Sequence, residues 1–384
     1  MNFEFATAAR IVFGPGKVSE AASEAAAIGG RALVVAGSRP DRLEPLLQPL
    51  RAARVGYTLF SVAGEPTLPL VSAGIARARD EGCTTVIGCG GGSVLDAAKA
   101  IAALLANPGD PLEYLEVVGR GNPLVHPPAP CICLPTTAGT GCEVTRNAVL
   151  IAPEQRVKVS LRSPMMLPRL AVVDPELTRS LPPALTAATG LDALTQLIEP
   201  LLSLKANPLT DTLCRDGIRR VALWLRAACS DGNDMEARAN MALAGLFGGM
   251  ALANAGLGAV HGLAAPLGGM FPVPHGIVCA RLLPGALRVN HAALRSRLPR
   301  SPALGRMDEV ARLLTGDAHA RAGEGIAWIE RLVADLGLPR LGAFGIGHGD
   351  LGAVARQGLR SSSMRGNPLP LGEEELRAIL ASAL

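Results

Sequence analysis

The chain has 384 residues, enough for two ordinary domains. Apolar residues make up 49% and charged residues 18%, which allows a large buried core and excludes a disordered chain. A net charge of +4 from 37 basic and 33 acidic side chains, with no dense Lys/Arg run, excludes a phosphate-backbone footprint, so no nucleic-acid partner is expected. Aromatics are scarce at 3%, while glycine (44) and proline (30) are abundant, which points to small-residue packing and tight turns. The start, Met1-Asn-Phe-Glu-Phe5, lacks a basic segment followed by an apolar one, and no two of the eight cysteines have C-x-x-C spacing. A cytoplasmic protein with reduced, buried thiols is the expectation.

In chain order, residues 31–36 read as a strand and residues 40–55 as a helix interrupted by Pro45 and Pro49. Residues 57–62 are a second strand and 70–80 a helix. Residues 84–88 form a third strand, followed by glycines and a helix over 93–105. Residues 131–134 and 170–174 complete five strands. Strands alternating with helices predict a doubly wound parallel sheet, an α/β domain. After about Pro182 the pattern turns helical, over residues 183–199, 210–229, 235–252, 307–314, 323–336 and 373–384. The expected organisation is an α/β domain over residues 1–180 and an all-α domain over 181–384, with a loop at 359–371. Residues 239–280 contain no charged side chain apart from His261 and His275. Their length would allow a membrane span, but Asn240, Asn254, three prolines and many glycines favour a buried helix followed by a broken, polar-tipped segment.

Three local patterns carry chemistry. Gly88-Cys-Gly-Gly-Gly-Ser93 follows a strand and opens a helix. Such a loop lets a backbone approach a phosphate at the helix N-terminus, or serves only helix–strand packing; both readings are open. Pro135-Thr-Thr-Ala-Gly-Thr-Gly-Cys-Glu-Val-Thr145 places hydroxyls at another strand's carboxyl end, which suits a ligand crevice. Asp192 and Gln196 lie one helical turn apart on one face, and His261 and His275 are the only ionisable groups in the quiet stretch. A carboxylate with two imidazoles is a donor set for zinc or ferrous iron; the competing reading is a pair of satisfied core histidines.

Taken together, these segments resemble the iron-containing (group III) alcohol dehydrogenases. The pieces that carry the resemblance are Arg10-Ile-Val-Phe-Gly14, Gly90-Gly-Gly-Ser-Val-Leu-Asp-Ala-Ala-Lys99, Pro135-Thr-Thr-Ala-Gly-Thr-Gly141, Asp174-Pro-Glu-Leu-Thr178, Gly190-Leu-Asp-Ala-Leu194 and the His261 to His275 segment. The resemblance implies a dinucleotide-binding domain, a helical metal and substrate domain, and an active site in the cleft between them. It implies pyrophosphate contacts from Gly91, Gly92 and Ser93, and Asp96, Thr136, Thr137, Thr140 and Lys158 lining the cofactor or cleft. It implies a divalent metal, iron or zinc, on Asp192, His261 and His275, with Gln196, which stands where the family usually has a further histidine, as the fourth ligand. Ala265 stands where many members have a proton-relaying histidine, and Cys142 replaces a usual serine.

NAD or NADP is the implied cofactor. Gly37 occupies the place where NAD-preferring relatives often have Asp, and Arg39 is suited to a 2′-phosphate, whereas Glu65 lies near a position expected to face the ribose. The expected function is hydride transfer between NAD(P) and an alcohol, aldehyde or ketone at a divalent-metal site, acting on a small molecule, away from membranes. Relatives are commonly dimers or larger, so a homo-oligomer is expected. The alternatives are a metal-independent reductase resembling maleylacetate reductase, and a cofactor-binding protein without activity.

Overall fold

The computed structural model describes residues 2–155 and 157–384. In the first half, the apolar runs become strands β1 (Ile11–Phe13), β2 (Arg31–Gly37), β3 (Gly56–Val62), β4 (Cys83–Gly90), β5 (Cys131–Pro135) and, after a hairpin, β8 (Leu170–Val173). They pair in parallel in the order β1-β8-β5-β4-β2-β3. Helices α1 (Ser19–Ile28), α2 (Glu44–Ala52), α3 (Leu68–Asp80) and α4 (Gly92–Ala106) alternate with them. Because successive side chains point to opposite faces, Leu33, Val35, Val86 and Cys133 enter one core, while Val34, Ala36, Ile87 and Leu134 enter the other. Strands buried on both faces read as unbroken apolar runs, which is why the central ones were visible in the sequence.

Several elements differ from the sequence reading. Residues 40–55 are not one helix: Pro40–Leu43 is a 3₁₀ turn, and α2 starts only at Glu44, with Pro45 in its first turn. An antiparallel hairpin, β6 (Asn147–Ala152) with β7 (Val157–Arg162), lies outside the elements that the sequence predicts, as do α1 and β1. The segment at 359–371 contains a short 3₁₀ helix, Ser362–Gly366.

The second half is helical: α5 (Pro183–Leu202), α6 (Pro208–Ser230), α7 (Met235–Ala255), α8 (Ala259–Met270), α9 (His275–Arg297), α10 (Pro302–Thr315), α11 (Ala322–Asp335), α12 (Leu351–Gly358) and α13 (Glu373–Ser382). The chain divides into a sheet unit, Thr7–Thr137 with Gly141–Arg179, and a helical unit, Ser180–Leu384 with Ala138–Thr140 and the residues up to Ala6. Among the described residues, no single helix is long and apolar enough to cross a membrane. The charge-free stretch is instead α7 and α8, bent by 100° across Gly256-Leu257-Gly258, followed by the start of α9. Gly256 caps α7 with φ 74°, a backbone conformation that glycine adopts without strain. Buried Arg238 ties the first turn of α7 to α5 by donating to Thr186 Oγ1 (2.9 Å) and to the Leu181 carbonyl (3.3 Å).

Within the sheet unit, Lys99 of α4 is buried, with 1% exposure. Its ammonium donates to the Cys142 carbonyl (2.8 Å), Thr145 Oγ1 (2.8 Å) and the Asn147 carbonyl, and lies 3.5 Å from Asp96 Oδ1. One cation therefore fastens the segment from Cys142 to β6 onto α4. A methionine of similar length would fill the space but remove the charge that those carbonyls and Asp96 face. Lys99→Met is expected to lower unfolding free energy by about 3–5 kcal/mol, measured by urea denaturation. A change within experimental error would show that the staple contributes nothing.

Candidate metal centre and cofactor cradle

In the sheet unit the strand order turns at β2 and β4: β3 lies beyond β2 on one side, and β5 beyond β4 on the other. Ligands of open α/β sheets bind at the carboxyl ends of strands at such a point. Here those ends are Gly37 and Gly90, and α4 begins two residues after Gly90. The glycines of this loop differ in what surrounds them. A Cβ on Gly88 would lie 2.8 Å from Ala98 Cβ, and one on Gly90 2.6 Å from Val94, so these two serve helix–strand packing. A Cβ on Gly91 would meet only Thr137, at 3.4 Å. Gly91 is the N-cap and makes no side-chain cap, so the first N–H groups of α4, including those of Gly92 and Ser93, point outward from the helix start.

Around this helix start, Glu65 bridges two of the sequence-predicted residues. Ser93 Oγ lies 3.4 Å from Glu65 Oε2 and Lys158 Nζ 3.0 Å from Glu65 Oε1. Thr136 extends β5, its N–H donating to the Gly90 carbonyl (2.9 Å), and Thr137 faces Gly91. Asp96 is turned inward: Cys142 Sγ donates to its Oδ1 at 2.7 Å, and Lys99 pairs with it. Burial pushes the Asp96 carboxyl above the usual range, while Lys99 and Cys142 partly offset this. Thr140 belongs with the helical unit, where neighbouring Gly139 packs so tightly on Thr189 that a Cβ would come within 2.7 Å.

The second cluster lies inside the helical unit. Asp192 comes from the middle of α5, His261 from the first turn of α8, and His275 opens α9. Their approach depends on small residues. A Cβ on Gly276 would sit 2.5 Å from the Ala188 carbonyl, so α9 touches the backbone of α5 there. A Cβ on Gly258 would sit 2.9 Å from Glu199 Oε1, so the start of α8 lies close against that carboxylate of α5. As a result, Nε2 of His261 and Nε2 of His275 lie 3.4 and 3.5 Å from Asp192 Oδ1.

Sequence reasoning missed two members of this cluster. Cys279, one turn after His275 on α9, places Sγ 3.8 Å from His261 Nε2 and 3.6 Å from His275 Nε2. Its signal was the four-residue spacing from His275, which has meaning only once residues 275–297 are known to be helical. Glu199, on the same face of α5 as Asp192 and Gln196, holds His261: its Oε2 lies 2.7 Å from His261 Nδ1, and its Oε1 accepts the Val260 N–H at 2.7 Å. With Nδ1–H given to Glu199, Nε2 is the ring atom that faces Asp192, and an outer carboxylate orients metal-binding imidazoles in the same way.

The donor set fits a cation. Asp192 Oδ1, two imidazole Nε2 atoms and Cys279 Sγ all lie within 4.8 Å of one another. Metal–N/O lengths of ~2.0–2.1 Å and metal–S of ~2.3 Å give tetrahedral edges of ~3.3 Å (N–O) and ~3.6 Å (N–S), close to the separations found. Asp192 Oδ1 and Gln196 Oε1 are buried without a hydrogen-bond partner, so two acceptors stand ready for a positive charge. Burial opposes ionisation of Asp192, but the two imidazoles beside it, His275 foremost, outweigh it and hold the carboxyl well below its usual range. Burial likewise works against a proton on His275, yet Cys279 and Asp192 raise it to about 10; His261 is raised well above its usual value by the same kinds of partner. An ion taking the Nε2 atoms must displace those protons.

The contact at Gly276 makes a direct test of this construction. Gly276→Ala adds a methyl against a backbone carbonyl that cannot swing aside, so α9 must shift. The expected loss is about 1–3 kcal/mol of unfolding free energy in denaturant titration. An unchanged midpoint would mean that α9 does not depend on the close approach.

A family model described as iron-containing alcohol dehydrogenase matches residues 8–175, and one for the C-terminal part of that family matches residues 186–384. The chain is 36% identical over 379 residues to 1,3-propanediol dehydrogenase of Klebsiella pneumoniae, covering 97% of this chain and 96% of the relative. Its fold matches a crystal structure of 1,3-propanediol oxidoreductase with a TM-score of 0.92 at 34% identity, over 100% of both chains. It also matches sulfoacetaldehyde reductase from Bifidobacterium kashiwanohense in complex with NAD+, with a TM-score of 0.87 at 27% identity, over 100% of this chain and 99% of that one. Two family models that together span nearly the whole chain, and a relative this similar along its length, lead to one conclusion: the chain belongs to the iron-containing alcohol dehydrogenase family.

Proposed function

We propose that the helical unit holds a divalent ion on Asp192, His261 and His275, with Gln196 beside them, and that the sheet unit holds the pyrophosphate of NAD(P) over Gly91, Gly92 and Ser93. The chain is an alcohol dehydrogenase, moving hydride between the nicotinamide and a small alcohol or its carbonyl product. The observation that carries the metal assignment is the unpartnered Asp192 Oδ1 with two Nε2 atoms at 3.4 and 3.5 Å.

When bound, such an ion supplies Lewis acidity toward the substrate oxygen, and the nicotinamide supplies the hydride chemistry. The chain supplies position and charge. Glu199 fixes the tautomer and ring plane of His261. The α5, α8 and α9 surfaces around Asp192 are apolar, which keeps water from weakening its electrostatics. In the sheet unit, the bare backbone at Gly91 lets a phosphate reach the N–H groups of α4, and Lys158, oriented by Glu65, adds a positive charge. Thr136 and Thr137 supply hydroxyls at the end of β5; Asp96, already engaged by Lys99 and Cys142, shapes this floor from within, and Thr140 is assigned to the cleft by resemblance. With Ala265 unable to carry a proton, water or another group must relay it.

The metal-independent alternative is not favoured. It requires Asp192 to remain a buried carboxylate without an ion, where it would repel an acidic substrate. The reading without activity is not favoured either, because the chain follows active dehydrogenases along nearly its whole length. A cytoplasmic address accords with eight cysteines of which seven are buried and none is paired among the described residues. The expected homo-oligomer rests on the habit of relatives.

Two measurements test this reading. Asp192→Ala is expected to lose the divalent ion, by elemental analysis, and to drop kcat/KM by more than the ~10–100-fold that loss of an outer partner costs. Full activity in the wild type after exhaustive chelation would remove the ligand assignment. For the cofactor, we expect NADP to be tolerated because Gly37 offers no carboxylate to repel a 2′-phosphate. A Cβ at Gly37 meets nothing within 4 Å, so Gly37→Asp is sterically clean. It is expected to shift the NADP/NAD ratio of kcat/KM about tenfold toward NAD. An unchanged ratio would show that the end of β2 does not read the ribose.

A further inference from the structure

We propose that the Cys279 thiolate is the fourth donor to the ion, and that the resulting Asp192/His261/His275/Cys279 set selects zinc over iron. This rests on the metal reading above and adds to it the identity of a ligand and of the ion.

The geometry comes first. Cys279 is fully buried and shares a helical face with His275, one turn away. Its Sγ lies 3.6 and 3.8 Å from the two Nε2 atoms, close to the ~3.6 Å edge of a tetrahedron that mixes sulfur and nitrogen donors. The unpartnered Oδ1 of Asp192 completes the figure from α5. Four donors from three helices thus surround one point.

Charge supports the same conclusion. Residues 239–280 bring no charged side chain to this region beyond the histidines. A divalent ion in such surroundings is stabilised by a pair of negative charges beside it. Asp192 supplies one, and the Cys279 thiolate supplies the other. The charge of Glu199 is already engaged by His261 Nδ1 and the Val260 N–H. Gln196, as a neutral amide, offers a carbonyl oxygen but no charge. On metal uptake the thiol proton leaves to solvent, and no electron is transferred. A soft thiolate in a compact four-donor set favours zinc, whereas oxygen and nitrogen donors alone discriminate less. Substrate oxygen then has a place only by expansion to five-coordination, which zinc permits.

The test uses the full-length protein, stripped of metal and loaded with Co²⁺ as a spectroscopic probe. Wild type is expected to show visible d–d bands and an intense near-ultraviolet sulfur-to-cobalt charge-transfer band. Cys279→Ser is expected to keep the visible bands, lose the charge-transfer band, and lose zinc-over-iron preference by about tenfold or more in competition. Visible bands without the charge-transfer band in wild type, or a charge-transfer band that survives Cys279→Ser, would overturn the proposal while leaving the metal reading intact. Failure of wild type to take up cobalt or zinc at all would overturn both. A zinc K-edge absorption spectrum of the wild-type holoenzyme needs no variant: one sulfur scatterer at ~2.3 Å supports the proposal, and a shell of N/O scatterers at ~2.0–2.1 Å alone contradicts it.

Discussion

A carboxylate buried in an apolar helical core has to be neutralised, and the organisation of the helical unit follows from how that is done for Asp192. The side chain sits midway along a 20-residue helix and is 1% exposed. Leaving it unpaired would cost several kcal/mol. The fold meets this cost by bringing two imidazoles from two other helices to the same oxygen, and by bracing one of them with Glu199. The resulting cluster has the spacing of a coordination shell. The charge-free stretch around it, which by length alone resembles a membrane segment, is an apolar lining in which a cation would be the strongest local charge.

That convergence is possible only because the helices nearly touch. Gly276 against the Ala188 carbonyl, Gly258 against Glu199, and Gly248, where a Cβ would come within 3.2 Å of Gln196, remove side chains at the crossing points. Glycine is costly in helices, and here it buys approach distances that no other residue allows. The abundance of glycine and the scarcity of aromatics are therefore two sides of one design. In the sheet unit the same residue type does two jobs: Gly88 and Gly90 seat α4 on β4, while Gly91 leaves the helix start open.

The sequence made the central parallel strands legible because strands covered on both faces are continuous apolar runs. It made Asp192 and Gln196 legible because their spacing falls within an unmistakable helix. The β6–β7 hairpin was missed because one face of it is only half-buried and its alternation is short. Strand β1 has three residues, too few to carry a pattern. Helices α8 and α9 were hidden by Pro266 and Pro284, which lie inside them and read as breaks. With those helices hidden, the His275-to-Cys279 interval had no geometric meaning, so the thiol was passed over. Glu199 lay in plain view at the end of a recognised helix, but its role depends on a contact with α8 that no local pattern encodes. What the sequence withheld was tertiary: which helix faces meet, and how closely.

Whether Asp192 and the two imidazoles hold a cation decides the role of the helical unit. The most direct measurement is anomalous diffraction from crystals of metal-replete enzyme, collected at the zinc and iron edges. A single strong peak in the helical unit, within bonding distance of Asp192 Oδ1 and of Nε2 of both His261 and His275, is the expected result. The absence of any anomalous peak there, with Asp192 paired only to protonated imidazoles, would contradict it.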